Sequence, residues 1–144
     1  MLIDVYAGRK DVVDFLYHLM EVRLAEGDTN ISHVSIPTRA EHERFVAKKV
    51  YVAWYVVATN IGEMAGAVSI TTKNELGVVL LPRFRRKGMA KEALIELMAR
   101  HQPLHAVPSE RPGRWVANIR AGNKASIALF ESLGAQLFQH TYIL

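Results

Sequence analysis

The feature that most constrains the fold is a basic segment, residues 82–88, which reads PRFRRKG. The apolar and partly β-branched residues 76–81 come directly before it and predict a buried strand. Residues 89–100 follow with apolar side chains at helical spacing, which predicts an amphipathic helix. The chain is therefore expected to pass from a strand through a basic turn into the first turn of a helix.

This order of elements predicts a site for a small polyanion. The first amides of a helix have no partner within it, and the helix dipole is positive at that end. Gly88 lets an anion approach the main chain closely, because it has no Cβ. Four cationic side chains surround that glycine: Arg83, Arg85, Arg86 and Lys87. The segment therefore combines main-chain donors with concentrated positive charge.

The basic character of the chain is local. Its net charge is +4, from 18 Lys and Arg against 14 Asp and Glu, so acids and bases cancel outside this segment. A protein that follows many nucleic-acid phosphates usually spreads its charge over a face, so nucleic-acid binding is not expected. A charge run is often only a solvated surface. The flanking strand, glycine and helix favour the anion site, although neither the Walker nor the dinucleotide glycine pattern is present.

Two blocks of this sequence resemble the GNAT superfamily of N-acetyltransferases. Residues 85–90, RRKGMA, resemble its R/Q-x-x-G-x-G/A signature. Residues 123–126 with Phe130 and Gly134 resemble its N-x-x-A-x-x-x-Y-x-x-x-G block. The resemblance covers residues 51–144 well and residues 1–50 only in general layout. It implies acetyl-CoA as the co-substrate.

The resemblance implies an α/β fold, α+β by some schemes. We expect a mixed, mostly antiparallel central sheet with a splayed parallel strand pair and helices on both faces. The pair is predicted at residues 75–81 and 115–119, with a bulge at Gly77. A length of 144 residues and 50% apolar content predict a single domain, residues 1–144.

Local patterns predict the remaining elements. Thr38 and Glu41 have the spacing of a helix capping box, and Asn60 to Gly62 have the composition of a hairpin turn. Further strands are predicted at residues 1–6, 50–59, 64–72 and 136–143, and helices at residues 11–24, 38–48, 89–100 and 123–133.

The resemblance also implies which residues hold acetyl-CoA. Main-chain groups of Val79, Leu80 and Leu81 would pair with its pantetheine arm. The pyrophosphate would lie on the loop formed by Arg85, Arg86, Lys87, Gly88, Met89 and Ala90. The rest of the predicted cofactor site is Asn118, Asn123, Ser126 and Phe130. Asn123 has the alternative role of a helix N-cap, and the two roles are compatible.

Direct transfer in a ternary complex is expected, because the chain has no cysteine to form an acyl-enzyme. The attacking amine must lose a proton, and Glu75 is the predicted base. Its alternative is a solvent-exposed turn residue. Phe130 stands where the family often has a tyrosine that protonates the leaving thiolate. Tyr142 is the predicted substitute, with Tyr55 or water as alternatives.

The predicted function is acetyl-CoA-dependent N-acetylation of a primary amine on a small molecule or peptide. His33, Trp54 and Tyr55 are predicted to line the acceptor pocket, although aromatic residues of strands are more often core. The alternative function is a catalytically weak or silent coenzyme A-binding module, which Phe130 keeps open.

Several further expectations concern partners and location. No metal site is expected, since Pro103 disrupts the helix that would align His101 with His105. No apolar stretch is long enough to span a bilayer, and the absence of cysteine fits a reducing cytoplasm. A homodimer is compatible with the sequence, which does not determine the oligomeric state.

Overall fold

The structure is a computed structural model that describes residues 1–27, 35–106 and 113–144. Within these residues, four strands form one antiparallel sheet in the order β1-β2-β3-β4. The strands are β1 (Leu2–Asp4), β2 (Ala53–Ala58), β3 (Met64–Ile70) and β4 (Leu76–Leu80). The helices are α1 (Lys10–Ala25), α2 (Arg39–Ala47), α3 (Met89–Arg100) and α4 (Lys124–Ser132). None of these helices is long and apolar enough to cross a membrane.

The predicted capping box opens α2. The Thr38 hydroxyl oxygen accepts a hydrogen bond from the Glu41 amide at 3.1 Å, and the Glu41 carboxylate accepts one from the Thr38 amide at 3.0 Å. Both bonds satisfy main-chain donors that the helix itself leaves without partners. This prediction is confirmed, and so is the antiparallel β2–β3 hairpin.

Helices cover both faces of the sheet, as expected. Successive strand residues point to opposite faces, so each strand contributes to two cores. On one face α3 and α4 pack on the sheet, with a core that includes Val57, Val68, Leu94, Leu97 and Phe130. On the other face α1 and α2 pack on the sheet, with a core that includes Val12, Leu16, Val46, Val56 and Ala67.

The predicted parallel strand pair is reduced to one bridge, between Glu75 and Val116. The Leu76 amide donates to the Val116 carbonyl at 2.8 Å, and the Val116 amide donates to the Asn74 carbonyl at 2.9 Å. Residues 117–120 then continue outside any regular strand. The apolar side chains at 115, 117 and 119 pack against the core on the α3 face. Their alternating pattern therefore indicated burial, but it did not indicate pairing with a neighbouring strand.

The strand predicted at residues 136–143 was wrong. These residues have no regular secondary structure, and Leu137, Tyr142 and Ile143 are 77%, 83% and 95% exposed. Alternating apolar residues predict a strand only where a sheet edge accepts their main-chain groups.

The bulge predicted at Gly77 was also wrong. The β3–β4 register runs without a shift through the pair Ser69 and Gly77, and the irregular register lies between Val57 and Ala58 of β2. A Cβ atom on Gly77 would lie 2.8 Å from the Ser69 hydroxyl oxygen. Glycine at this position therefore accommodates a neighbouring side chain and does not kink the strand.

Asn74 joins three segments at the start of β4. It is fully buried, and its φ of 61° lies in the left-handed region. Its side-chain amide donates to the Leu104 carbonyl at 2.9 Å and accepts from the Leu104 amide at 2.8 Å. This side chain ties the segment after α3 to the sheet next to Val116.

Candidate functional site

The basic turn connects β4 to α3 through a 3-10 turn, Pro82–Phe84. Phe84 is buried in the second core and anchors the turn. Arg86 and Gly88 have φ values of 63° and 78°, so the chain reverses through two left-handed residues before α3 begins. A glycine N-cap has no side chain to occupy the first amides of the helix. The turn therefore presents the positive end of α3 at the surface.

The space next to Gly88 can accept a ligand group. A Cβ built on this glycine meets no atom of the described residues within 4 Å. Met89 and Ala90, the first residues of α3, are half-buried beside it. The residues present therefore fit a phosphate group, because no described atom crowds the main chain at Gly88, where α3 begins.

Two of the four cations of this turn are paired with acids from other elements. Arg83 lies 3.2 Å from Glu63, and Arg85 lies 3.1 Å from Glu26, which follows α1. The Arg85 Nε atom also donates to the Leu80 carbonyl at 3.1 Å. Arg86 and Lys87 are exposed. The positive charge available to an anion is thus smaller than the sequence count suggests.

The open edge of β4 is formed by alternate residues. The Leu81 amide donates a hydrogen bond to the Ala65 carbonyl of β3. The Val79 carbonyl oxygen also faces β3, because it lies 2.0 Å from the position that a Cβ of Gly66 would take. Val79 and Leu81 therefore direct main-chain groups toward β3. Hydrogen-bonding direction alternates along a strand. Val78 and Leu80 therefore direct their main-chain groups to the opposite edge, the edge that Leu76 uses to reach Val116. Val78 was missed by sequence reasoning, although this alternation identifies it.

The first turn of α4 contains two more of the predicted cofactor residues. The Asn123 side-chain oxygen accepts from the Ser126 amide at 3.2 Å, so Asn123 is the N-cap. This bond uses only the oxygen and leaves the two amide hydrogens as donors. Phe130 is 8% exposed and packs in the core with Leu94 and Leu97.

The predicted base lies at the start of β4 and has a specific partner. The Glu75 carboxylate accepts a hydrogen bond from the Asn118 side-chain amide at 2.8 Å. The Glu75 amide donates to the Thr71 hydroxyl oxygen at 3.1 Å. Glu75 is half-buried, and the bridge to Val116 places it between β4 and the segment that carries Asn118.

The two predicted acceptor residues of β2 point to opposite faces, because they are consecutive in a strand. Tyr55 belongs to the α3 face, where its hydroxyl group lies 2.8 Å from His101 Nε2. Trp54 belongs to the α1 face. His33 lies outside the described residues, and Tyr142 is on the exposed C-terminal segment. Trp54 and Tyr55 therefore do not share one pocket.

Trp54 is part of an aromatic cluster with residues that sequence reasoning did not select. Its ring centroid lies 5.0 Å from Tyr51, 5.9 Å from Phe45 and 6.3 Å from Tyr6, all in edge-on arrangements. Burial raises the pKa of the Tyr51 hydroxyl, an effect that the charge of Arg23 opposes. Such edge-on contacts suit the charge distribution of aromatic rings.

Comparisons with known proteins agree with this arrangement. A family model described as an acetyltransferase (GNAT) domain matches residues 8–136. The chain belongs to the GNAT acetyltransferase family. The predicted family is thereby confirmed, and so is the α/β fold with a mostly antiparallel sheet, without the splayed parallel pair. Acetyl-CoA is the acetyl donor of this family. A comparison with curated proteins finds no match.

Solved structures similar to this GNAT domain share its fold at low sequence identity. A ribosomal-protein-alanine N-acetyltransferase from Brucella melitensis has 19% identity and a TM-score of 0.69, over 93% of this chain and 83% of that one. An N-acetyltransferase from Staphylococcus aureus Mu50 has 16% identity and a TM-score of 0.69, over 93% and 81%. A phosphinothricin acetyltransferase from Sinorhizobium meliloti, in complex with AcCoA, has 21% identity and a TM-score of 0.61, over 93% and 73%.

Proposed function

We propose that this GNAT domain transfers an acetyl group from acetyl-CoA to a primary amine by direct attack in a ternary complex. The observation that supports this most is the turn before α3. There, a family signature coincides with a left-handed glycine and with open space beside the first amides of a helix. The absence of cysteine from the sequence supports direct transfer over an acyl-enzyme.

Acetyl-CoA would be held by main-chain groups and the basic turn. The open edge of β4 offers Val78 and Leu80 to the amides of the pantetheine arm. The amides around Gly88 and the side chains of Arg85, Arg86 and Lys87 would face the pyrophosphate. The donor hydrogens of Asn123 would reach the arm from α4. Arg85 now bonds the Leu80 carbonyl, so it exchanges that contact for the ligand when acetyl-CoA binds.

Glu75 would accept the proton of the attacking amine. The lone pair of the neutral amine forms a bond to the thioester carbonyl carbon, the nitrogen then loses its extra proton to the Glu75 carboxylate, and the carbon–sulfur bond breaks as the thiolate leaves. Asn118 acts as a positioning residue, because its donated hydrogen bond holds the Glu75 carboxylate at the edge of β4. General base catalysis of this kind contributes about 10²–10⁴-fold.

Water would protonate the leaving thiolate. Phe130 has no hydroxyl group, and Tyr142 is 83% exposed on a segment without regular structure. A thiol with a pKa of about 8.5 is a fair leaving group without an acid. Tyr142→Phe and Tyr55→Phe are therefore expected to retain turnover. A loss of about tenfold or more in either variant would assign the acid to that tyrosine.

A second candidate function follows from Phe130, which is buried and stands where the family often has a tyrosine. The domain would then bind coenzyme A without turnover. The test is thiol release from acetyl-CoA across a panel of amines, together with calorimetry of acetyl-CoA alone. Binding with amine-dependent thiol release supports the transferase. Binding without thiol release for any amine supports the binding module, and no binding contradicts both.

A further inference from the structure

In the part of the chain that the structure describes, the α1 face of the sheet has one row of residues that is more deeply buried than the next. The row Val56–Ala67–Val79 lies beneath α1, where Val56 and Ala67 are buried. The next row across the same face is Trp54–Ser69–Gly77, and all three of its residues are half-buried. We call this second row the open row. Glu75 is two residues from Gly77 and therefore points to the same face.

The dimensions of the open row match a small molecule. Neighbouring strands lie about 4.8 Å apart, so the main chains of Trp54 and Gly77 are about 10 Å apart across β3. Glu75 lies about 7 Å further along β4. A molecule whose amine reaches Glu75 therefore lies over Ser69 and extends toward Trp54.

The chemistry along the row changes from polar to apolar. At the β4 end is a carboxylate held by Asn118. In the middle is the hydroxyl of Ser69, which leans over Gly77, because a Cβ there would lie 2.8 Å from its oxygen. At the β2 end, Trp54 packs edge-on against Tyr51 and Phe45, and Phe45 is 41% exposed. Aromatic rings of this kind offer a large, rigid apolar surface.

We infer that the acceptor is a primary amine on a flat apolar carrier, such as an arylalkylamine, and that Trp54 and Ser69 determine this specificity. The inference rests on the proposed function, because it places the amine at Glu75. An amino sugar or a polyamine fits less well, since its many polar groups would lose hydrogen bonds with water against the aromatic wall.

The test compares phenethylamine and tryptamine with glucosamine and spermidine. Wild type is expected to give a kcat/KM for the aromatic amines at least about tenfold above that for the polar ones. Trp54→Ala should raise the KM for phenethylamine by about 10–100-fold and leave the KM for acetyl-CoA unchanged. Trp54→Phe should recover most of the loss. Phe138→Ala is the matched control, because it also truncates an aromatic side chain, one that is 53% exposed on the C-terminal segment and is not part of the open row.

A second variant keeps the inference testable if Trp54→Ala unfolds. Ser69→Val suits a strand but fills the middle of the open row. It should abolish phenethylamine turnover while calorimetry shows unchanged acetyl-CoA affinity. Unchanged phenethylamine kinetics in Ser69→Val, or a preference of wild type for the polar amines, would overturn the inference.

Calorimetry with phenethylamine in the presence of coenzyme A separates this inference from the proposed function. If phenethylamine binds wild type but not Ser69→Val, and no amine is acetylated, the site is correct and the transferase proposal fails. If only polar amines are acetylated, the transferase stands and the inference fails.

Discussion

The carboxylate of Glu75 accepts a hydrogen bond from the side-chain amide of Asn118, 43 residues later in the chain, at 2.8 Å. Glu75 also forms a parallel bridge with Val116, which lies in the segment after α3. A main-chain contact and a side-chain contact thus locate the candidate base together. The relationship makes Asn118 a partner of Glu75 as well as a candidate for cofactor binding.

Glu75→Gln is expected to lower kcat by about 10²–10⁴-fold, because an amide does not accept the proton. Acetyl-CoA affinity should remain nearly unchanged, and the pH–rate profile should lose its acidic limb. Asn118→Ala should lower kcat by about 10–100-fold through misplacement of the carboxylate. Glu63→Gln is the control, since its carboxylate pairs with Arg83. An unchanged pH–rate profile in Glu75→Gln would exclude this carboxylate as the base.

Gly88→Ala and Gly62→Ala form a matched pair. Both glycines have left-handed φ values, 78° and 85°, and a Cβ on either meets nothing of the described chain within 4 Å. Each substitution should cost about 1–2 kcal/mol of unfolding free energy, because alanine is strained in this region. Only Gly88→Ala should also weaken acetyl-CoA binding in calorimetry. Equal acetyl-CoA affinities in the two variants would contradict the pyrophosphate assignment.

Glu26→Gln should tighten acetyl-CoA binding by about two- to fivefold at low salt, because it releases Arg85 from an exposed ion pair. The gain should shrink as salt screens the charges. Glu96→Gln is the control, since it removes an acid paired with Arg100 at the other end of α3. Acetyl-CoA binding would be measured at about 20 mM and about 300 mM salt, which changes the Debye length. A gain in Glu96→Gln as large as that in Glu26→Gln would count against this role of Arg85.

Asn74→Ala should cost about 2–4 kcal/mol of unfolding free energy, measured by urea denaturation. It removes two hydrogen bonds to Leu104 and places alanine at a left-handed φ. Asn74→Gly removes the same bonds but accepts the φ value. The difference between the two variants then measures the backbone strain. A cost below about 0.5 kcal/mol in both would show that the bonds do not stabilise the fold.

Stability should decline at alkaline pH because of Tyr51. Burial raises the pKa of its hydroxyl in the folded state, so folding favours the neutral form. The stability that the neutral hydroxyl group contributes is fully present below the pKa of the unfolded state, about 10. It is lost as the pH rises through the higher pKa of the folded state. Tyr51→Phe should therefore flatten the dependence of unfolding free energy on pH above about 10. The pKa of Tyr6 is also raised by burial, so some slope should remain.

Local patterns predicted the elements well where near neighbours decide the conformation. The capping box of Thr38 and Glu41, the β2–β3 hairpin and the turn into α3 each depend on contacts within a few residues. The strand predicted at residues 136–143 failed because a strand also needs an edge to pair with. Residues 115–119 also lack a continuous strand partner. Their apolar pattern correctly predicted that they are buried, but it wrongly predicted that they pair as a strand.

The sequence by itself determined that a basic turn with a glycine precedes a helix, and it identified the family. Only the tertiary structure decided that Glu75 meets Asn118, that Arg85 pairs with Glu26, and that Trp54 lies on the α1 face and Tyr55 on the α3 face. These relationships depend on strand register and on contacts between distant segments. A shift of one residue in register would exchange the two faces, and no local pattern records that choice.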